Sequence, residues 1–485
     1  MTADLKEKSG LGDTREHAGA RRPINSCNPS DALLTAADLT CAGRVLSVNA
    51  NRFEISDALG LLSVGARVRL QPQCMDGFDL SASLYGEVVS FGNGRATAMA
   101  FGPLTGVRCG DRVLFERPAQ AMVPGPHWIG RVVDGLAMPL DGKGPLCGAA
   151  RAPAAMPVFP SHPSPIPAPL RARLGPPVHF GVRALDSFTP ARAGQRLGLF
   201  SGAGVGKSAL LGMLARHTDC DVRIIALIGE RGREVREFIE RDLGPRGLEN
   251  TIVVVATADQ PALMRRQAGF LAMALAEHYR DQGRHVLCLM DSLTRIAAAQ
   301  REIGLSAGEP PAARGFTPSV FALLPALLER AGPGLDHGSG DPGYITGVFT
   351  VLVEGDDANE PVADHCRASL DGHVVLDRAI AERGRFPAVN ILKSLSRTAG
   401  DLLEGEAFAA YRRARAIAAL YTDMEDMIRI GAYAPGTNPA LDEAINFWPR
   451  LEEFLTQTRD ADQDVRGMGA PTLVDLVKTG TASEG

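Results

Sequence analysis

With 485 residues, 45% hydrophobic and 22% charged, the chain is long enough for two or three domains and can fill a large core. Its net charge of −5 argues against a broad basic surface for wrapping nucleic acid. The 8 cysteines stand singly with no Cys-x-x-Cys pair, against a disulfide framework or zinc site, and no run reaches the about 18 apolar residues of a membrane span.

The start, Met1 to Lys8, lacks the apolar core of a secretory signal, so a cytoplasmic protein is expected. Residues 1–39 are polar and charge-mixed; they read as a flexible tail, or as an arm that folds on meeting a partner. Over 40–117, short strand-like runs (Gly43–Val48, Ala66–Leu70, Tyr85–Val89, Arg95–Met99) alternate with turn residues, which predicts a small closed β-barrel. Residues 145–178 are crowded with proline, as in Phe159-Pro-Ser-His-Pro-Ser-Pro-Ile-Pro. This linker is expected to lie extended over the surface of a domain spanning 118–398.

Within that domain, apolar runs alternate with helix-length segments: Arg196–Phe200, Val222–Ile228, Thr251–Ala256, Val286–Met290 and Ile345–Val353. Nearly continuous Val, Ile and Leu fits strands covered on both faces, hence an α/β fold with a parallel sheet. From 399 to 460 the pattern is helical. Ile417, Leu420, Tyr421, Met424, Met427 and Ile428 share one face, and Leu441, Ala444, Ile445, Trp448 and Leu451 repeat the pattern after Ala434-Pro-Gly. Residues 461–485 read as a second flexible tail.

Residues 201–208, Ser-Gly-Ala-Gly-Val-Gly-Lys-Ser, follow a predicted strand and open a predicted helix. That is the context of a phosphate-binding loop. Gly202, Gly204 and Gly206 let backbone N–H groups curl around phosphates, Lys207 reaches the β and γ oxygens, and Ser208 is placed to ligate magnesium. The nucleotide-binding set is therefore Gly202, Ala203, Gly204, Val205, Gly206, Lys207, Ser208 and Ala209, with ATP as substrate and Mg²⁺ as cofactor. The motif's usual first glycine is Ser201 here.

Asp291 ends an apolar strand, where a carboxylate sits beside the phosphate loop and can hold magnesium through water. Alone, an Asp at a strand end is more often a helix cap; paired with Lys207 and Ser208 it reads as a metal-side residue. Gly229-Glu-Arg-Gly-Arg-Glu follows another strand on the same sheet edge. There Glu230 can polarise an attacking water and Arg231 can steady phosphate charge, against the alternative of a solvated charge run. Arg233, Glu234 and Arg236 read as surface or interface charges.

These motifs, with Leu289-Met-Asp-Ser-Leu-Thr-Arg, Gly308-Glu-Pro-Pro and Phe386-Pro-Ala-Val-Asn-Ile-Leu-Lys-Ser-Leu-Ser-Arg397, resemble the catalytic subunits of the rotary ATP synthase superfamily. Within it the chain is most similar to the flagellar protein-export ATPases of the type III secretion family. The phrases that carry this are the proline-rich link Leu146–Ala168, Pro261-Ala-Leu-Met-Arg-Arg-Gln, Ala299-Gln-Arg-Glu-Ile-Gly-Leu-Ser and Asp426-Met-Ile-Arg-Ile-Gly-Ala-Tyr-Ala-Pro-Gly. The resemblance runs from about residue 40 to 455. It implies a RecA-like core with an N-terminal β-barrel and a C-terminal helical domain, assembled as a homohexameric ring. By motif position it makes Lys207 and Ser208 the phosphate and magnesium ligands, Glu230 the catalytic carboxylate and Asp291 the metal-side aspartate. Phe386 becomes the aromatic on adenine, where its own sequence allows either stacking or a core role. Arg397 becomes the arginine that enters a neighbour's site, an effect worth about 10³–10⁵ in rate. Asn438 stands where these proteins more often carry Asp.

The resemblance further implies a regulator bound at the N-terminus, export chaperones and cargo, and peripheral contact with an export gate at the inner membrane. The second reading is a virulence injectisome ATPase. A rotary synthase subunit is disfavoured because the acidic Asp-Glu-Leu-Ser-Glu-Glu-Asp segment is not found in the C-terminal helices. A non-hydrolysing regulatory subunit is disfavoured by Glu230, and an RNA translocase by the acidic net charge.

Overall fold

The computed structural model describes residues 41–57, 60, 62–71, 84–92, 94–115, 124–146, 165–336, 338, 341–353, 360–459 and 472–481. The N-terminal tail 1–39, the linker stretch 147–164 and much of 461–485 lie outside these residues.

Six strands close a barrel in the order β1-β2-β5-β4-β3-β6: β1 Cys41–Asn49, β2 Arg52–Ser56, β3 Arg67–Gln71, β4 Leu84–Gly92, β5 Arg95–Ala100 and β6 Arg112–Phe115. Every pairing is antiparallel, and alternate residues such as Phe53 and Ile55, or Val68 and Leu70, point into one small core. Closure leaves no free edge to template another strand. A buried ion pair ties the barrel to the rest: Arg266 Nη2 lies 2.5 Å from Glu87 Oε1 on β4.

The central sheet has nine strands. They are β7 Val132–Asp134, β10 Arg196–Ser201, β11 Val222–Ile228, β12 Thr251–Ala256, β13 His285–Asp291, β14 Gly332–Pro333, β15 Tyr344–Leu352, β16 Gly372–Leu376 and β17 Leu395–Ser396. A separate antiparallel pair, β8 Pro177–Val178 and β9 Ala191–Arg192, precedes β10. The sheet order is β17-β16-β10-β15-β13-β11-β12-β7. The interior pairings are parallel; β14 and β17 are antiparallel, so the sheet is mixed at its margins.

The continuous apolar runs are explained by burial on both faces. Along β11, Ile224, Ala226 and Ile228 enter one core while Ile225 and Leu227 enter the other. The first core is closed by α2 Ala262–Arg280, α3 Leu293–Ala307, α4 Pro318–Leu328 and α5 Pro361–Ser369. The second holds α1 Lys207–His217 and the helices α6 Gly405–Arg429, α7 Pro439–Leu455 and α8 Leu473–Thr481.

Asn438 caps α7: its side chain accepts from the amides of Ala440 and Leu441. Asn serves at an N-cap as well as Asp does, which accounts for this substitution. Tyr421 and Trp448 stack across α6 and α7 with centroids 4.4 Å apart. Met427, expected on the packed face of α6, is 44% exposed.

α8 falls within 461–485, where the sequence suggested a loose tail. Thr472 and Asp475 form a reciprocal capping box, with Asp475 N donating to Thr472 Oγ1 and Thr472 N to Asp475 Oδ2. Leu473 and Leu476 then share a helical face and are buried in the second core.

Candidate active site

The phosphate loop leaves the carboxyl end of β10 and enters α1. Ser201 is the last, buried residue of β10. An extended position needs no glycine, so serine is accommodated there. Glycine is required further on, where Gly204 and Gly206 take φ of 78° and 86°. Val205 is buried and pins the loop to the core, whereas Ala203 is exposed and Ala209 half-buried. Lys207 opens α1 and Ser208 follows it, exposed on the first turn.

Two strands bring two carboxylates to this lysine. Lys207 Nζ donates to Asp291 Oδ1 at 2.7 Å and to Glu230 Oε1 at 3.0 Å. Asp291 ends β13, two strands from β10, and Glu230 lies just past β11, the next strand along. All three side chains are largely buried, between 6% and 15% exposed. Burial pushes the Asp291 carboxyl above the usual carboxylate range; the Lys207 ammonium pulls it down, and Glu230 adds to the rise. Burial also pulls the Lys207 ammonium down, but the two carboxylates outweigh it and hold its pKa above the ordinary value. The lysine charge is thus fixed where phosphate oxygens would meet it.

The intervening strand supplies a residue that sequence reasoning missed. Thr350 on β15 is fully buried, and its Oγ1 donates to Asp291 Oδ1 at 2.6 Å. Its only trace in the sequence is that it is one of two threonines, with Thr346, in the otherwise apolar run Ile345–Val353. Since Thr350 and Lys207 both use Oδ1, the geometry leaves Oδ2 for another partner. The oxygen donors here, the Asp291 carboxylate and the Ser208 hydroxyl, fit a hard divalent cation. Among the described residues no cluster of three or more His, Cys, Asp or Glu side chains is placed to hold a metal. Magnesium fits without one, because it takes most of its ligands from phosphates and water.

Phe386 also joins the loop: a Cβ on Gly206 would come within 3.3 Å of its ring, which is 44% exposed. Its carbonyl accepts from Gln457 N at 2.9 Å, fastening it to the end of the helical region.

Two expected residues stand apart. The Arg231 side chain is 84% exposed and its ion pair is a loose one with Glu234 at 3.9 Å. Beyond it, Arg233–Glu237 and Arg236–Glu240 are exposed pairs along one helical face. Arg397 lies toward the opposite edge of the sheet. Ser396 pairs with Gly372, level with Leu197, whereas the phosphate loop leaves from Ser201, level with Leu376. Those levels are separated by about 13 Å of strand. The exposed Arg397 therefore does not meet the Lys207 cluster of its own chain.

Residues 181–396 match the family model "ATP synthase alpha/beta family, nucleotide-binding domain", and residues 403–467 match "T3SS EscN ATPase C-terminal domain". The chain is 48% identical over 423 residues to the flagellum-specific ATP synthase of Caulobacter vibrioides, covering 87% of this chain and 93% of that one. It is 45% identical over 375 residues to the type 3 secretion system ATPase of Xanthomonas euvesicatoria, covering 77% and 82%. The assembled ATPase EscN of the enteropathogenic E. coli type III secretion system superposes with a TM-score of 0.78 at 34% identity, covering 90% of this chain and 100% of that one. EscN in complex with its central stalk EscO superposes with a TM-score of 0.77.

Proposed function

The chain belongs to the family of flagellum-specific ATP synthases and type III secretion system ATPases, and on that premise we propose that it hydrolyses ATP to energise flagellar protein export as a homohexameric ring. The observation that carries the reading is the Lys207 ammonium held between Glu230 and Asp291 beside a glycine-cornered phosphate loop.

In this reading the amides of residues 202–209 and the N-terminus of α1 cradle the phosphates. Lys207 exchanges its carboxylate contacts for β and γ oxygens. Ser208 and Asp291 would hold magnesium, which would supply positive charge to offset that of the phosphates. Glu230 accepts a hydrogen bond from a water in line with the γ-phosphorus and takes its proton as the new P–O bond forms. The bond to the β–γ bridging oxygen breaks and ADP departs. Phe386 stacks on adenine. Arg397 of one subunit reaches the γ-phosphate bound by the next, which suits its place away from its own site. Arg231, in solvent within one chain, gains a role only across a subunit interface.

The wider reading places an export regulator on residues 1–39, chaperones and cargo on the ring, and a peripheral contact with the membrane export gate. No helix among the described residues is long and apolar enough to cross a membrane, which suits a peripheral contact. The resemblance to the Xanthomonas relative supports a second reading, an injectisome ATPase with the same chemistry and other cargo.

The test is ATP turnover beside ATP binding in Glu230→Gln. Retained binding with turnover lost is expected. Wild-type turnover in this variant would remove Glu230 from the mechanism. Deleting the gene separates the two readings: loss of motility supports flagellar export, and loss of effector secretion alone supports the injectisome.

A further inference from the structure

The residues on either side of Arg397, and its own amide, are hydrogen-bonded to segments around the start of the phosphate-loop strand. Ser396 Oγ donates to the carbonyl of Pro190 at 2.6 Å, just before β9. Arg397 N donates to the carbonyl of Asp371 at 3.2 Å. The Asp371 carboxylate in turn accepts from Arg196, the first residue of β10, through its amide at 3.0 Å and its Nε at 3.1 Å. Thr398 Oγ1 donates to Gln195 Oε1 at 2.9 Å, and the same oxygen accepts from Arg192 N at 2.6 Å. Gln195 is fully buried, and its carbonyl accepts from Gly347 N on β15 at 2.9 Å.

The arginine so held is exposed and has no salt-bridge partner among the described residues. A long, solvated side chain of this kind loses most freedom when ordered, so its useful reach depends on how firmly its backbone is set. Side-chain bonds on both flanks, in addition to the short antiparallel pairing of β17 with β16, exceed what a surface turn needs.

We propose that Ser396, Thr398 and Gln195 are positioning residues for Arg397, fixing its backbone on the turn that starts the phosphate-loop strand. This rests on the reading that Arg397 completes a neighbour's site. The device affects the chemical step in the next subunit and leaves nucleotide binding in its own subunit untouched.

The experiment compares Thr398→Val, which removes the donor at nearly constant shape, with Thr398→Ser, which keeps it. Thr398→Val is expected to lower kcat about three- to tenfold, one hydrogen bond's worth, with KM for ATP and nucleotide affinity unchanged. Thr398→Ser is expected to restore kcat. Mixing Thr398→Val chains with Glu230→Gln chains, whose Arg397 is properly held, should raise turnover per Thr398→Val chain. Should Thr398→Val fail to fold, Ser396→Ala is read in the same way. Arg397→Ala mixed with Glu230→Gln is the control on the underlying reading. If that mixture regains activity while Thr398→Val has wild-type kcat, or a deficit that mixing does not relieve, the positioning role is overturned. If Arg397→Ala is not relieved in rings shown to be mixed, the trans reading fails, and the positioning role falls with it.

Discussion

The hydroxyl of Thr350 reaches across from β15 to donate to Asp291 Oδ1 at 2.6 Å, on the same oxygen that receives Lys207. Two donors on one oxygen turn the carboxylate so that its other oxygen is the one left to face a cation. The bond lies in a fully buried position, where an unmet acceptor is costly.

Thr350→Val should therefore weaken binding of an ATP analogue about tenfold in magnesium, and much less in EDTA. Titration of a fluorescent analogue under both conditions is the check. An equal loss in both would mean general damage to the pocket, and no loss would remove Thr350 from the site.

Lys207→Ala should abolish turnover and leave the fold intact. It removes the cation that pairs with both Glu230 and Asp291, so the remaining carboxylates face incoming phosphates without it. Phosphate release together with thermal unfolding measures both halves. Normal turnover would contradict the phosphate-loop assignment.

A third prediction concerns pH. Asp141 is nearly buried and accepts from Arg131 Nε at 2.6 Å and Nη2 at 2.9 Å, and from the amides of Val132 and Lys143. Burial alone would push its carboxyl up; the Arg131 guanidinium and those amides overcome this and hold it at about 2. Its folded pKa lies below the unfolded value of about 3.9, so the stabilisation is present above about pH 4 and fades toward pH 2. The two values differ by roughly 2–3 kcal/mol of stability. Asp141→Asn should lower the urea midpoint near neutral pH, with the gap from wild type narrowing below about pH 4. A gap of constant size down to about pH 3 would contradict this account.

Much of the sheet was legible because parallel strands buried on both faces are apolar throughout. Val222–Ile228 and Thr251–Ala256 read from the sequence are the observed limits of β11 and β12. The phosphate loop was legible because its glycines, lysine and serine are contiguous. What escaped depends on contacts between distant parts of the chain. Thr350 matters only because β15 lies between β10 and β13 in the sheet. Gln195 meets Thr398 across 203 residues, and Glu87 meets Arg266 across 179. In sequence each is an ordinary polar residue. Strands β2 and β6 are short and only partly apolar, as Arg52-Phe-Glu-Ile-Ser shows, and they gain their definition from barrel closure. Helix α8 carries its signal in Thr472 and Asp475, a capping pair hidden within a polar stretch.

The most direct test of a site completed by assembly is phosphate release per chain as a function of protein concentration, for wild type and Glu230→Gln, with particle mass followed in parallel. Wild-type specific activity is expected to climb steeply as rings form, while Glu230→Gln stays inactive throughout. Undiminished specific activity at concentrations where the chain is shown to be monomeric would contradict it, since Arg397 would then have no part in the reaction.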